Sequence, residues 1–218
     1  NLDKGLQPNA MIAIESDYSL IERLYNSYYL IKKDQKNIKS IYKPNGAWTD
    51  KTLSNRKEYT DAIESNDQQK LNILLSNFFR NSGVCNTWSY GLFNEVITFS
   101  KSKKIRYINT LLNDYTLLKR LIPGTKIKDL DISRVGNPWG YSFDDVLLTP
   151  MASRHFYYAN KIKKLIHNYS NPVVMEIGAA FGGVAYYLQK YDNNITYINL
   201  DLPEVLLINN YYLIKNYP

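Results

Sequence analysis

The chain has 218 residues, 44% of them hydrophobic and 22% charged, which is globular composition at the length of one large domain or two small ones and excludes a collagen-like or wholly disordered chain. No apolar run approaches the ~18 uninterrupted residues of a membrane-spanning helix, and the opening NLDKGLQPNA has neither the basic start nor the apolar stretch of a secretory signal, so a cytoplasmic protein with no membrane span is expected. A single cysteine, Cys85, excludes an internal disulfide, and two histidines, His155 and His167, are too few for a Cys/His zinc site, so no metal is expected.

The net charge of +7 is unevenly spread: from Ser170 onward the balance is −2, which leaves +9 before it. The densest basic runs are Lys101, Lys103, Lys104 and Arg106, and then Lys161, Lys163 and Lys164. Such runs either form a solvated helix face or meet a polyanion, a phosphate-bearing substrate or an acidic glycan. No finger, ribonucleoprotein or basic-zipper motif is present, so nucleic acid is not an expected partner. The 20 tyrosines reflect either compositional bias or surfaces that line carbohydrate or partner sites, since the ring is rigid and amphipathic.

In chain order, Leu20, Ile21, Leu24, Tyr25, Tyr28 and Ile31 recur at steps of three and four, predicting a helix over Ser16–Lys33 capped by Ser16 or Asp17. KPNGAW then breaks regular structure and puts Trp48 in or beside a loop. A second helix is expected from about Asp67 to Arg80, on Leu71, Leu74, Leu75, Phe78 and Phe79, and CNTWSYGLFNEV reads as a loop entering the next helix. That helix is expected within Lys101–Leu121, with Ile105, Ile108, Leu111, Leu112, Tyr115, Leu118 and Leu121 inward, until Pro123-Gly124 stops it. Residues 129–150 change to loop chemistry: RVGNPWGYSFDD concentrates glycine, proline and aromatics and is the best loop candidate for a ligand contact. Thr149 is the expected cap of a helix through Ile166, with Met151, Phe156, Ala159, Ile162, Leu165 and Ile166 buried.

The strongest signal follows. PVVMEIG reads as a buried parallel strand, AAFGGVAYYLQKY as a helix opened by small residues, ITYINLD as a second strand ending in an acid, and LPEVLLINNYYLIKN as a helix with Pro203 in its first turn. Strand, helix, strand, helix at these lengths predicts a right-handed parallel βαβα unit. Gly178 allows a tight turn after the first strand, Ala180 and Gly182 keep the turn clear of side chains, and Gly183 permits close helix packing. An adenosine-bearing cofactor then fits against the bare loop and the helix N-terminus. Asp201, 23 residues beyond Gly178, is placed to accept hydrogen bonds from ribose hydroxyls, while Glu176 holds the loop or meets the ligand's amino group. The E-x-G-x-A-x-G spacing fits S-adenosylmethionine better than a nicotinamide dinucleotide, whose G-x-G-x-x-G fingerprint is broken at Ala180.

VVMEIGAAFGGVAYYL followed by YINLDLPEVLLINNYYL resembles the first two motifs of class I S-adenosylmethionine-dependent methyltransferases. The D-L-P after the second strand, the upstream VGNPWG and the helix carrying Arg154, His155, Tyr157, Tyr158 and Ala159 are similar to the sugar O-methyltransferases of bacterial polysaccharide clusters. The likeness covers about Val135–Tyr217. It implies an α/β fold: a mainly helical domain over 1–148 covering the substrate, then the first part of a Rossmann-like domain over 149–218. It implies cofactor contacts from Glu176, Gly178, Ala180, Gly182, Asp201 and, flanking the adenine, Leu202. Arg154, Tyr158 and Asn137 would face the acceptor. A methyltransferase sheet has about seven strands against two here, so the resemblance implies that the remaining strands and the base that deprotonates the acceptor lie beyond Pro218. On this chain His155 is the candidate base.

The leading expectation is therefore an O-methyltransferase acting on a sugar hydroxyl in polysaccharide or nucleotide-sugar biosynthesis, with a small-molecule or glycan acceptor. The alternatives are a nicotinamide-dependent sugar-modifying oxidoreductase and a truncated, non-catalytic Rossmann-like binding module whose open sheet edges favour a homodimer.

Overall fold

The computed structural model describes residues 17–43, 56–81, 100–191 and 194–218. Trp48 and the CNTWSYGLFNEV segment lie outside the described residues. The architecture is mixed α/β and largely helical, and among the described residues no helix is long and apolar enough to cross a membrane.

Helix α1 spans Tyr18–Lys36, and its cap is Asp17, whose Oδ1 accepts from the Leu20 amide at 3.1 Å. Helices α2 (Lys57–Glu64) and α3 (Gln68–Ser76) follow, and Asp67 caps α3 by accepting from the Lys70 amide. The predicted helix to Arg80 ends four residues early: Phe78–Arg80 form a 3-10 turn. The reason lies in a partner segment, because the Phe79 amide donates to the Gly136 carbonyl and the Arg80 side chain donates to the carbonyls of Asn137 and Pro138. Gly136 is essential to that approach. Its φ is +79°, and a Cβ there would lie 2.1 Å from the Phe78 ring.

Helix α4 spans Lys101–Leu121 as expected, but only one strip of it reaches the core, at Tyr107, Ile108, Leu111 and Leu118. Ile105 and Leu121, expected inward, are exposed. The stretch expected to be loop contains a 3-10 turn (Ile127–Leu130) and a hairpin of β1 (Tyr141–Phe143) and β2 (Val146–Leu148), closed by Asp144-Asp145 with Asp144 at φ +52°. Asp131 holds the hairpin by accepting from the Leu147 amide, and Trp139 stacks on Tyr107 at 5.9 Å.

Helix α5 is Ala152–Ile166. Its cap position is Met151, and Thr149 offers its carbonyl to Ala152 instead of a hydroxyl cap. Ala152, Phe156 and Ala159 are buried, whereas Leu165, expected in the buried stripe, is 76% exposed. Strand β3 (Val173–Ile177), helix α6 (Gly183–Gln189), strand β4 (Thr196–Leu200) and helix α7 (Pro203–Asn216) complete the chain. The strands pair in parallel, with Val173 opposite Thr196 and Ile177 opposite Leu200.

One buried cluster runs from Leu20 through Phe78, Tyr107 and Phe156 to Tyr212, joining the helical segment to the βαβα segment. Helices α1 and α7 lie antiparallel, since Asp17 at the start of α1 pairs with Lys215 at the end of α7, and Lys32 pairs with the buried Glu204, each at 2.7 Å. The expectation of a fully buried β3 is corrected by the structure. Val174 and Tyr197 pack inward, while Val173, Met175 and Ile177 point out, Ile177 at 83% exposure, because among the described residues the helical layer lies against one face of the pair.

The centre of the fold is tested by Tyr187, which is fully buried and donates to the Leu130 carbonyl at 2.7 Å. Removing the hydroxyl leaves that acceptor unpaired, so Tyr187→Phe is expected to lower unfolding free energy by about 1–3 kcal/mol in urea denaturation.

Candidate functional site

The glycine turn joins β3 to α6. The strand ladder continues to Gly178, whose amide donates to the Leu200 carbonyl at 2.8 Å. The chain then passes through three left-handed residues, Gly178 (φ +77°), Ala180 (φ +50°) and Gly182 (φ +89°), with Gly182 capping α6. Ala180 carries the cost of a side chain in that region, and two tethers hold it there. Its amide donates to Asp201 Oδ2 at 3.0 Å, and its carbonyl accepts from Asn209 Nδ2 at 3.2 Å, with Asn209 itself accepting from Asn199. A Cβ at Gly178 would meet nothing within 4 Å, so the turn opens onto free space, whereas one at Gly182 would press on Asn209 and Leu213 at 3.0–3.1 Å.

Asp201 ends β4 and bridges the two strand ends, since Oδ1 accepts from the Leu202 amide at 2.8 Å while Oδ2 takes Ala180. Each oxygen keeps a second lone pair for a ligand hydroxyl. Burial raises the Asp201 pKa, opposed by the two backbone donors and by the charge of Arg56. Glu176, on the inward face of β3, accepts from Tyr197 Oη at 2.8 Å, and burial raises its pKa as well. The sequence-predicted cofactor set thus lies at one end of the strand pair. Leu202 adjoins Asp201 as the cap residue of α7.

Sequence reading missed Arg56, which is buried and electrostatically coupled to Asp201 although more than a hundred residues separate them. A lone arginine in a polar stretch carries no motif.

The other predicted residues divide between two sides of α5. His155 packs on the turn: its Nδ1 would lie 2.2 Å from a Cβ on Gly183, and its ring meets Phe181 edge-on at 5.3 Å. That nitrogen is buried and has no hydrogen-bond partner among the described residues. Burial, helped by the neighbouring Arg154 charge, pushes the His155 pKa down to about 4, so the ring is neutral at neutral pH. Arg154 and Tyr158 face away from the turn, into a cavity of about 460 Å³ between α4 and α5. Asn137 joins neither group. It adopts φ +55°, donates to Asn77 Oδ1 at 2.8 Å and anchors the 3-10 turn.

Among the described residues no three His, Cys, Asp or Glu side chains gather as a metal site. No family model, no curated protein and no solved structure matches the chain.

Gly183→Ala is expected to destabilise the fold by about 1–3 kcal/mol through overpacking, although alanine is the better helix former. The loss should shrink in a His155→Ala background, and a double-mutant cycle in urea reads that coupling. With the folded-state His155 pKa near 4 and the ordinary value at 6.5, the unfolded chain takes up this proton between those pH values and the folded chain does not. Acidification through that window therefore disfavours folding. His155→Leu should lose less stability than the natural chain between pH 7 and pH 4.5, measured as the shift in urea midpoint.

Proposed function

We propose that the chain binds S-adenosylmethionine at the glycine turn and belongs to a Rossmann-like O-methyltransferase acting on a sugar hydroxyl. The observation that carries this reading is the Asp201 bridge. A carboxylate at the end of the second parallel strand grips the turn through Ala180 and keeps acceptor capacity beside the open space at Gly178. The turn is bare on its ligand side and braced behind by Asn209 and Phe181, which suits a flat, hydroxyl-bearing adenosine better than a bulky polar chain. The spacing from Glu176 to Gly182 favours this cofactor over a dinucleotide, because the second position of the dinucleotide fingerprint is Ala180.

In this reading S-adenosylmethionine supplies a sulfonium-bound methyl group for in-line transfer to an acceptor oxygen. Asp201 takes the ribose hydroxyls and Leu202 covers the adenine edge. Glu176, fixed by Tyr197, sets the floor below the turn. Neutral His155 sets how closely α5 approaches the turn.

The test is calorimetric titration with S-adenosylhomocysteine and, separately, NAD. Saturable binding of the homocysteine compound alone is expected. Asp201→Asn should weaken it about tenfold or more, since one lost hydrogen bond to a charged group is worth about 1.5–3 kcal/mol. Binding of NAD alone would replace the reading by a dinucleotide enzyme, and silence from both ligands with a folded chain would make the turn a packing device.

A further inference from the structure

A second site lies on the opposite side of α5 from the glycine turn. Arg154, Tyr157, Tyr158, Lys161 and Lys164 recur at steps of three and four and so share one helix face. Helix α5 contains no acidic residue, so this face carries three cations with no carboxylate of their own helix to neutralise them. Across the groove, α4 contributes Asp114 and the exposed side chains of Leu117 and Leu121.

The groove is neither plain core nor plain surface. Its volume of about 460 Å³ falls within the range of about 300–1,000 Å³ typical of small-molecule sites. A smaller recess of about 70 Å³ shares Leu121 and Tyr157 with it and carries it on to Lys161 and Lys164. Tyr157 and Tyr158 stand edge to face at 5.7 Å, and Tyr158 is 50% exposed. The Arg154 guanidinium lines the cavity without a hydrogen bond or ion pair among the described residues, although the Asp114 carboxyl feels its charge.

We propose that this groove binds a phosphorylated sugar, with the phosphate on Lys161, whose ammonium lies over the Tyr157 ring at 5.6 Å, and on Lys164, the sugar ring against the exposed Tyr158, and its hydroxyls on Asp114 and Arg154. The chemistry follows from the order of groups along the helix. Arg154 and Lys161 are seven positions apart, a rise of about 10 Å, so they address opposite ends of one small ligand. The exposed Tyr158 offers an apolar face to sugar C–H groups while its hydroxyl reaches oxygen, and Tyr157 braces it edge to face. A carboxylate facing a guanidinium presents an acceptor and a fork of donors, which matches neighbouring hydroxyls. Two lysines act as point charges for phosphate.

The groove and the glycine turn lie on opposite sides of α5, so a sugar held in the groove is out of line with a methyl group at the turn, and the assignment stands independently of the methyl-transfer reading. Helix α5 links the two sites, because Arg154 and Tyr158 line the groove while His155, between them in sequence, touches Gly183.

The experiment is calorimetric titration of the chain with glucose 1-phosphate and with UDP-glucose, using glucose and UDP as controls and S-adenosylhomocysteine in parallel. Saturable binding of a phosphorylated sugar is expected, at least tenfold tighter than either control. A preference for glucose 1-phosphate identifies a free sugar phosphate, and a preference for UDP-glucose identifies a nucleotide sugar. Lys161→Ala/Lys164→Ala and, separately, Tyr158→Ala should each weaken it tenfold or more while S-adenosylhomocysteine binding and the circular dichroism spectrum stay unchanged. UDP binding as tightly as UDP-glucose, undiminished binding in both variants, or no binding of either phosphorylated sugar would overturn the assignment. Sugar binding without S-adenosylhomocysteine binding would overturn the cofactor reading and leave the groove standing.

Discussion

The aromatic contact between the glycine turn and the helical segment is the constraint from which the rest of the arrangement follows. Phe181 is part of the turn, and its ring meets Phe79 at 4.8 Å, His155 and Tyr212 at 5.3 Å and Phe78 at 6.3 Å. Three elements, the 3-10 turn at Phe78–Arg80, α5 and α7, therefore converge beneath one residue of the glycine turn. Edge-to-face pairs of this kind contribute about 0.5–1.5 kcal/mol each beyond the area they bury, and their directionality matters more here than their energy. The turn between Gly178 and Gly182 contains three left-handed residues, which a short loop adopts only when its surroundings over-determine it. Phe181 fixes it from below and Asp201 from the side.

The same constraint explains why the 3-10 turn at Phe78–Arg80 matters. Phe78 and Phe79 reach Phe181 because the chain leaves the α-helix at Ser76, and it leaves there because Gly136 and its neighbours claim the backbone donors and the Arg80 guanidinium. A loop far from the strands thus sets the position of the aromatic floor. The ion pairs between α1 and α7 do less. Lys215–Asp17 is half exposed and counts for roughly 0–1 kcal/mol, so it selects the antiparallel register rather than supplying stability. Lys32–Glu204 has one buried partner, so its main effect is that Glu204 is never left alone in the core.

Much of this was legible in the residues. The cap Asp17, the start of α3 near Asp67, the stop of α4 at Pro123-Gly124, Pro203 at the start of α7 and the strand–turn–helix after Pro172 are local signals, and local structure realises them. The features that escaped are set by contacts distant in sequence. The β1–β2 hairpin has three residues per strand, too few to display a period of two, and an Asp-Asp turn without glycine. An apolar run such as VVMEI implies burial on both faces, yet period alone does not say how many layers the fold brings to it, and Met175 stands 59% exposed. The loop that carries Asn137 has the glycine, proline and tryptophan of a ligand-contact loop, and in the structure the same residues form the turn that docks on Asn77 and Arg80. Arg56 reaches Asp201 through the tertiary fold alone.

Helix α5 brings these threads together, because consecutive residues on a helix point about 100° apart and so belong to different surroundings. Its inner residues, Phe156 and Ala159, lock it to the core. His155 touches the backbone of the glycine turn, and Arg154 and Tyr158 line the groove against α4. The position of α5 is therefore fixed on both sides, by the core at Phe156 and Ala159 and by the imidazole against Gly183. The contact at Gly183 has no slack, since not even a methyl group fits there. Helix α5 and the turn are thus linked by a steric contact, with no hydrogen-bonded relay between them among the described residues. The missing Cβ at Gly183 is what lets α5 lie close enough for that linkage.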